Sequence, residues 1–221
     1  AFNQDIGSWD VSKVTNMSRM FSNASSFYGD LSIWDVGKVE KMNEMFAGAS
    51  SFNGDVSAWE VSVVDNMSGM FAGASSFTGD LSAWEVGAVE DMSGMFAGAT
   101  DFNSDISTWD VSNVIAMASM FGDATSFDQN LGGWDVGEVT TMEFMFVGAG
   151  LSTNNYDELL QGWSALDALQ PNVVFNAGNS TYCEAIAARQ SIIDDFGWNI
   201  TDADINCPDT DGDGVADNED A

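Results

Sequence analysis

The chain has 221 residues, and its 35 acids against five bases give a formal net charge of −30. A surface this acidic repels phosphate backbones and anionic lipid, so nucleic acid and anionic membranes are excluded as direct partners. Histidine is absent, which removes the commonest general base and the usual serine and cysteine triads.

From the N-terminus the chain repeats itself. Phe2, Phe27, Phe52, Phe77, Phe102 and Phe127 each open a 25-residue block, so six contiguous units cover residues 2 to 151. Each block carries one tryptophan in register (Trp9, Trp34, Trp59, Trp84, Trp109, Trp134), and the methionines fall in register as pairs such as Met67/Met70. A fixed period in this range marks stacked supersecondary units, none of which can bury its apolar side alone. The expected fold is therefore an α/β solenoid over residues 1–151. Counting from the phenylalanine, the apolar positions are 1, 5, 8, 10, 13, 16, 19, 20 and 23. Positions 8 and 10 (Trp59, Val61) flank an acid, which predicts a short strand with two side chains in and one out. Positions 13 to 23 (Val64, Met67, Met70, Phe71, Ala74) have the spacing of a helical or 3₁₀ arm. The methionines sit at core spacing beside phenylalanine and read as gap-filling packing.

Two acidic columns run through the blocks. Position 4 holds Asp5, Asp30, Asp55, Asp80 and Asp105, then Asn130, and suits corner hydrogen bonds to backbone amides. Position 9, between the two predicted strand anchors, holds Asp10, Asp35, Glu60, Glu85, Asp110 and Asp135. Alternation points this column away from the core. Rungs about 4.8 Å apart would set neighbouring charges repelling by roughly 0.9 kcal/mol in water. The column reads either as a solvated face or as a face for cations or a basic partner. Residues 42 to 188 contain no lysine or arginine. Position 11 alternates strictly (Ser12, Gly37, Ser62, Gly87, Ser112, Gly137), which suggests growth by duplication of a block pair.

The stretch "DISTWDVSNVIAMASMFGDATSF", residues 105 to 127, resembles the BspA-type leucine-rich-repeat surface proteins of bacteria, also met as a mycoplasma-type repeat. Its order parallels the Treponema-type leucine-rich repeat, with tryptophan and methionine in place of several leucines. The resemblance covers residues 2 to 151 in six registers. It implies a curved, right-handed solenoid with a parallel sheet on one face and short helical or irregular arms on the other. It also implies a place outside the cell and a role in adhesion to host matrix proteins or other microbes.

After Leu151 the repeat breaks, and residues 152–207 read as a capping region for the last exposed rung. "NNYDELLQGWSAL" predicts a helix with an asparagine cap and acids in its first turn. "NVVF" predicts a strand, "CEAIAARQSIIDDFGW" a second helix closed by Gly197, and "WNIT" a last strand. The segment resembles the cap that follows such repeats in secreted proteins of Bacteroidetes-type bacteria. Cys183 and Cys207 are the only cysteines, and an even count in this setting predicts one disulfide; a pair of buried thiols is the competing reading. In residues 208–221, "DTDGDGVADNED" places Asp209, Asp211, Asp213, Asp217 and Asp220 at the ligand positions of a 12-residue calcium loop, with the Val215 carbonyl at position 7 and Gly214 for the turn. The loop resembles a thrombospondin type 3 repeat; a solvated acidic tail is the plainer reading. Calcium is the expected cofactor.

No enzymatic activity is expected. No glycine-rich phosphate loop follows a strand, no His/Cys cluster exists, and the carboxylates repeat in register instead of standing out as a pair. No apolar stretch is long enough to span a membrane. Ala1, just before a block boundary, reads as the start of a mature fragment. Two functions fit. One is an extracellular or cell-surface adhesion module for a protein or polysaccharide. The other is a calcium-stabilised spacer or surface-fibre subunit that self-associates.

Overall fold

A computed structural model describes residues 2–207. Its first six blocks lie one upon the next. Asn16, Lys41, Asn66, Asp91, Ala116 and Thr141 bridge in parallel from each block to the following one. Around each bridge the amides of alternate residues reach the neighbouring block: Met67, Gly69, Phe71 and Gly73 donate to the carbonyls of Asp91, Ser93, Met95 and Ala97 at 2.6–3.0 Å. The intervening amides turn back on their own block, with Met70 donating to Met67 O, Ala72 to Gly69 O and Ala74 to Phe71 O. Every other amide thus ties two blocks together while its neighbour closes a tight turn.

This backbone path needs left-handed residues at two places per block. Position 22 is Asn23, Gly48, Gly73, Gly98, Asp123 and Gly148, with φ between 56° and 76°. These residue types tolerate that region best. Position 18 also has positive φ but holds Arg19, Glu44, Gly69, Gly94, Ser119 and Phe144, so only the two middle blocks carry glycine where the backbone asks for it.

Between these turns lies the core. In the third block all nine apolar positions, from Phe52 to Ala74, are buried. The two phenylalanine columns interleave into one continuous stack. Phe46 and Phe52 lie 3.9 Å apart centroid to centroid, Phe52 and Phe77 6.0 Å, Phe46 and Phe71 5.5 Å. Near-parallel offset rings at these distances are favourable beyond simple burial. Serine and threonine hydroxyls add a thinner ladder, Ser50 to Ser25 O, Ser75 to Ser50 O and Thr100 to Ser75 O.

The cross-block ladder does not lie where alternation placed a strand. Around Trp59 and Val61 the backbone makes turns, Trp59 N–H to Val56 O and Val64 N–H to Val61 O, and no backbone bond joins positions 8 to 10 of successive blocks among the described residues. Two side chains two residues apart also face inward when each borders a three-residue turn, so side-chain alternation did not determine backbone pairing. Tryptophan holds this side together instead. The indole N–H of Trp34, Trp59, Trp84, Trp109 and Trp134 donates to the position-5 carbonyl of the block before, Ile6, Leu31, Val56, Leu81 and Ile106, at 3.0–3.2 Å.

The cap continues these columns with different secondary structure. Helix α1 (Thr153–Ser164) carries Trp163, whose indole donates to Leu131 O at 3.2 Å as a seventh repeat tryptophan would. Strand β1 (Val174–Asn176) extends the ladder, with Met142 bridging Phe175 in parallel and Phe146 N–H donating to Asn176 O. After helix α2 (Ile186–Phe196), strand β2 (Asn199–Thr201) pairs parallel with β1, Phe175 opposite Ile200. Trp198 then donates to Gln170 O at 2.8 Å. The first helix starts one residue before the predicted stretch and ends two residues short of it, and the second is shorter than predicted. The first is capped by Ser152, not by asparagine, and has no acid in its first turn. The second starts at Ile186 because the Asp157 carboxylate has taken the amides of Cys183, Glu184 and Ala185 just before it. Gly197 closes it in the left-handed conformation at φ 71°. Cys183 and Cys207 are joined as a disulfide with Cα atoms 4.8 Å apart.

Candidate functional site

All six outward residues, Asp10, Asp35, Glu60, Glu85, Asp110 and Asp135, are exposed. The aspartates also do local work that the sequence reading assigned only to position 4. Asp10 Oδ1 accepts the Ser12 amide and hydroxyl at 3.1 and 2.6 Å, and Asp110 holds Ser112 in the same way. Asp35 and Asp135 accept the amides of Gly37 and Gly137. The serine hydroxyl bond, then the amide, holds the carboxyls of Asp10 and Asp110 below the usual carboxylate range. Glu60 and Glu85, one methylene longer, make no such bond among the described residues and are the free acids of the column.

Position 4 caps its corners as expected. Asp30, Asp55, Asp80 and Asp105 accept the amide two residues on, from Ser32, Ser57, Ser82 and Ser107, at 2.9–3.0 Å.

Between successive blocks this face sinks into shallow depressions, three of them in a row. One of about 360 Å³ lies between Trp34, Asp35, Ala58 and Glu60. The next, about 410 Å³, is lined by Trp59, Glu60, Ala83 and Glu85. The third, about 640 Å³, is lined by Trp84, Glu85, Thr108 and Asp110. Each is bordered by a tryptophan that is itself buried and by acids drawn from two blocks. The alternation at position 11 has a steric counterpart here. A Cβ added at Gly37 would meet Glu60 Oε2 at 3.3 Å, and one at Gly87 would meet Asp110 Oδ2 at 3.3 Å. Glycine in alternate blocks thus leaves room for the next block's acid to lean back.

Among the described residues no group of three or more His, Cys, Asp or Glu side chains comes together in a way that could hold a metal ion. The residues expected to form a calcium loop, Asp209, Asp211, Asp213, Val215, Asp217 and Asp220, lie outside the described residues. No described helix is long and apolar enough to cross a membrane.

A family model described as "Mycoplasma protein of unknown function, DUF285" matches residues 1–99 and 79–181. The chain belongs to this family. The second match of the DUF285 model runs past the sixth block into α1 and β1, whose Trp163 and Phe175 continue the internal columns. No curated protein and no solved structure matches the chain.

Proposed function

We propose that this DUF285 chain is an extracellular, cell-surface adhesion module built as a right-handed α/β solenoid of the BspA-like type, and that its outward face binds a partner protein through an extended basic segment. The observation that carries the reading is the row of three depressions from Trp34 to Asp110, each lined by acids from two blocks and by small apolar residues such as Ala58 and Ala83. A partner in extended conformation meets the same chemistry at each step. Lysine and arginine stems suit the exposed alanines Ala58 and Ala83 while their heads reach the carboxylates. The free carboxylates of Glu60 and Glu85 stand at the middle of the row. The disulfide in the cap supports an oxidising compartment. A calcium loop at residues 209–220 fits the same setting as a site that orders the C-terminal acids.

Titration of the protein with a fluorescent oligolysine peptide, followed by anisotropy, tests this. The expected result is binding that weakens steeply with salt and drops in the Glu60→Gln/Glu85→Gln double variant. Equal affinity for the double variant, or no binding at low salt, refutes it.

A further inference from the structure

Stacking explains most of the repeat, so exposed residues that break register ask for another cause. Position 2 is Asn3, Asn53, Thr78, Asn103 and Asp128 in five blocks, but Tyr28 in the second. Position 7 is Ser8, Ala58, Ala83, Thr108 and Gly133, but Ile33 in the second. Both exceptions are large and apolar, and both face solvent, at 70% and 78% exposure. Neither contributes to the core, and together they line one depression of about 530 Å³ between the first two blocks.

Besides Gly7, Ser8 and Gly29, the rest of its lining is polar and of mixed type: Asn3, Gln4, Asp5 and Asp30. Asn3 Oδ1 accepts the Tyr28 amide at 3.1 Å, which fixes that carboxamide beside the ring and leaves its NH₂ without a partner among the described residues. The Gln4 amide is likewise unengaged among the described residues. Asp5 and Asp30 each use Oδ1 to close a corner, on Gly7 and Ser32, and their second oxygens take no part in those turns. Amide donors and carboxylate acceptors therefore border an aromatic ring and a branched aliphatic side chain. Sugar hydroxyls, each both donor and acceptor, need this mixture, and the C–H face of a pyranose needs a flat apolar platform. The volume is that of a small-ligand cleft.

Local charge separates this place from the acidic row. The first two blocks hold six acids (Asp5, Asp10, Asp30, Asp35, Glu40, Glu44) against four bases (Lys13, Arg19, Lys38, Lys41), whereas residues 52 to 151 hold acids and no base. The field that selects a cation is thus strongest on the later blocks, while the Tyr28 depression is lined by two carboxylates, Asp5 and Asp30, and by no base. We propose that the depression between the first and second blocks is a saccharide subsite, with Tyr28 as the stacking platform, Ile33 as its apolar edge, and Asn3, Gln4, Asp5 and Asp30 as hydroxyl partners. It rests on the reading of the chain as a binding module; its depression adjoins the first one of the basic-segment row and shares Ile33 with it, but not Tyr28 or the polar residues.

The test is calorimetric titration of the full chain with maltotriose, cellotriose and tri-N-acetylchitotriose. At least one trisaccharide is expected to bind. Tyr28→Ala should weaken that binding about tenfold, the loss of one stacking contact, while Tyr28→Phe keeps it. Oligolysine binding should be unchanged in Tyr28→Ala, and saccharide binding unchanged in Glu60→Gln/Glu85→Gln, so either reading can fail without the other. With 70% of Tyr28 in solvent, the substitution leaves folding intact, which a thermal melt verifies. No binding of any of the three sugars, or binding indifferent to Tyr28→Ala, overturns the proposal. Loss of oligolysine binding in Tyr28→Ala overturns it too, because the depression would then belong to a protein partner.

Discussion

Replacing Trp109 by phenylalanine isolates the bond that holds the turn side of the stack. Trp109 is 3% exposed, and its indole donates to Leu81 O at 3.0 Å. That carbonyl also receives the Trp84 amide at 3.1 Å, so the substitution halves its bonding without orphaning it. Losing one such bond costs about 1 kcal/mol net. The smaller ring leaves a void worth about 1 kcal/mol more. The sum, about 2 kcal/mol, should move the urea midpoint clearly downward. Trp9→Phe provides the contrast. Trp9 is 54% exposed and its indole has no acceptor among the described residues, so this change should leave the midpoint nearly where it was. Equilibrium urea unfolding followed by far-ultraviolet circular dichroism reads both. Equal destabilisation by the two substitutions would refute the idea that indole bonds join successive blocks.

Other expectations follow from the turns, the acids and the cap. Gly73→Ala has room, with the nearest atoms at 3.6 Å, but forces alanine to φ 68°, so it should cost about 1 kcal/mol in thermal unfolding, while Ser119→Gly at φ 55° should raise the melting temperature. The Asp55 carboxyl is held below the ordinary range chiefly by the Ser57 hydroxyl, then by its amide. A depressed folded-state pKa stabilises the fold above the unfolded value, and that contribution disappears as pH falls through the folded one. Ser57→Ala should therefore shift the Asp55 titration upward in carboxyl-carbon NMR, and an unmoved titration would contradict the assignment. Reducing the Cys183–Cys207 bond, which spans a sequence separation of 24, should destabilise the cap by roughly 3–4 kcal/mol in the chain-entropy account, visible as an earlier melting step with dithiothreitol.

Much of this architecture was legible because stacking enforces it. The period, the buried apolar positions and the corner role of Asp30 or Asp80 all follow from residues that recur in register. The location of the cross-block ladder was not legible. Trp59 and Val61 carry strand-like alternation yet sit in turns, while the ladder runs through Met67 to Gly73, whose apolar spacing suggests a helix. The clue lay in the column Asn23, Gly48, Gly73, Gly98, Asp123, Gly148, a set that tolerates positive φ and therefore argues against a helical arm. A second clue was the Asp-x-Ser/Gly spacing at Asp10, Asp35, Asp110 and Asp135, identical to that of the corner aspartates. It separates the turn-capping members of the outward column from Glu60 and Glu85. The row of depressions was hidden because each forms between blocks 25 residues apart, and the depression at Tyr28 because a register break has meaning only once the neighbouring positions are seen to be exposed.

The most direct test of the acidic row is amide hydrogen exchange with and without saturating oligolysine. The account predicts slowed exchange in residues 57–62 and 82–88, which line the depressions, and unchanged exchange along residues 67–73 of the ladder. Protection confined to the ladder side or to the cap, with residues 57–62 and 82–88 unaffected, would contradict it.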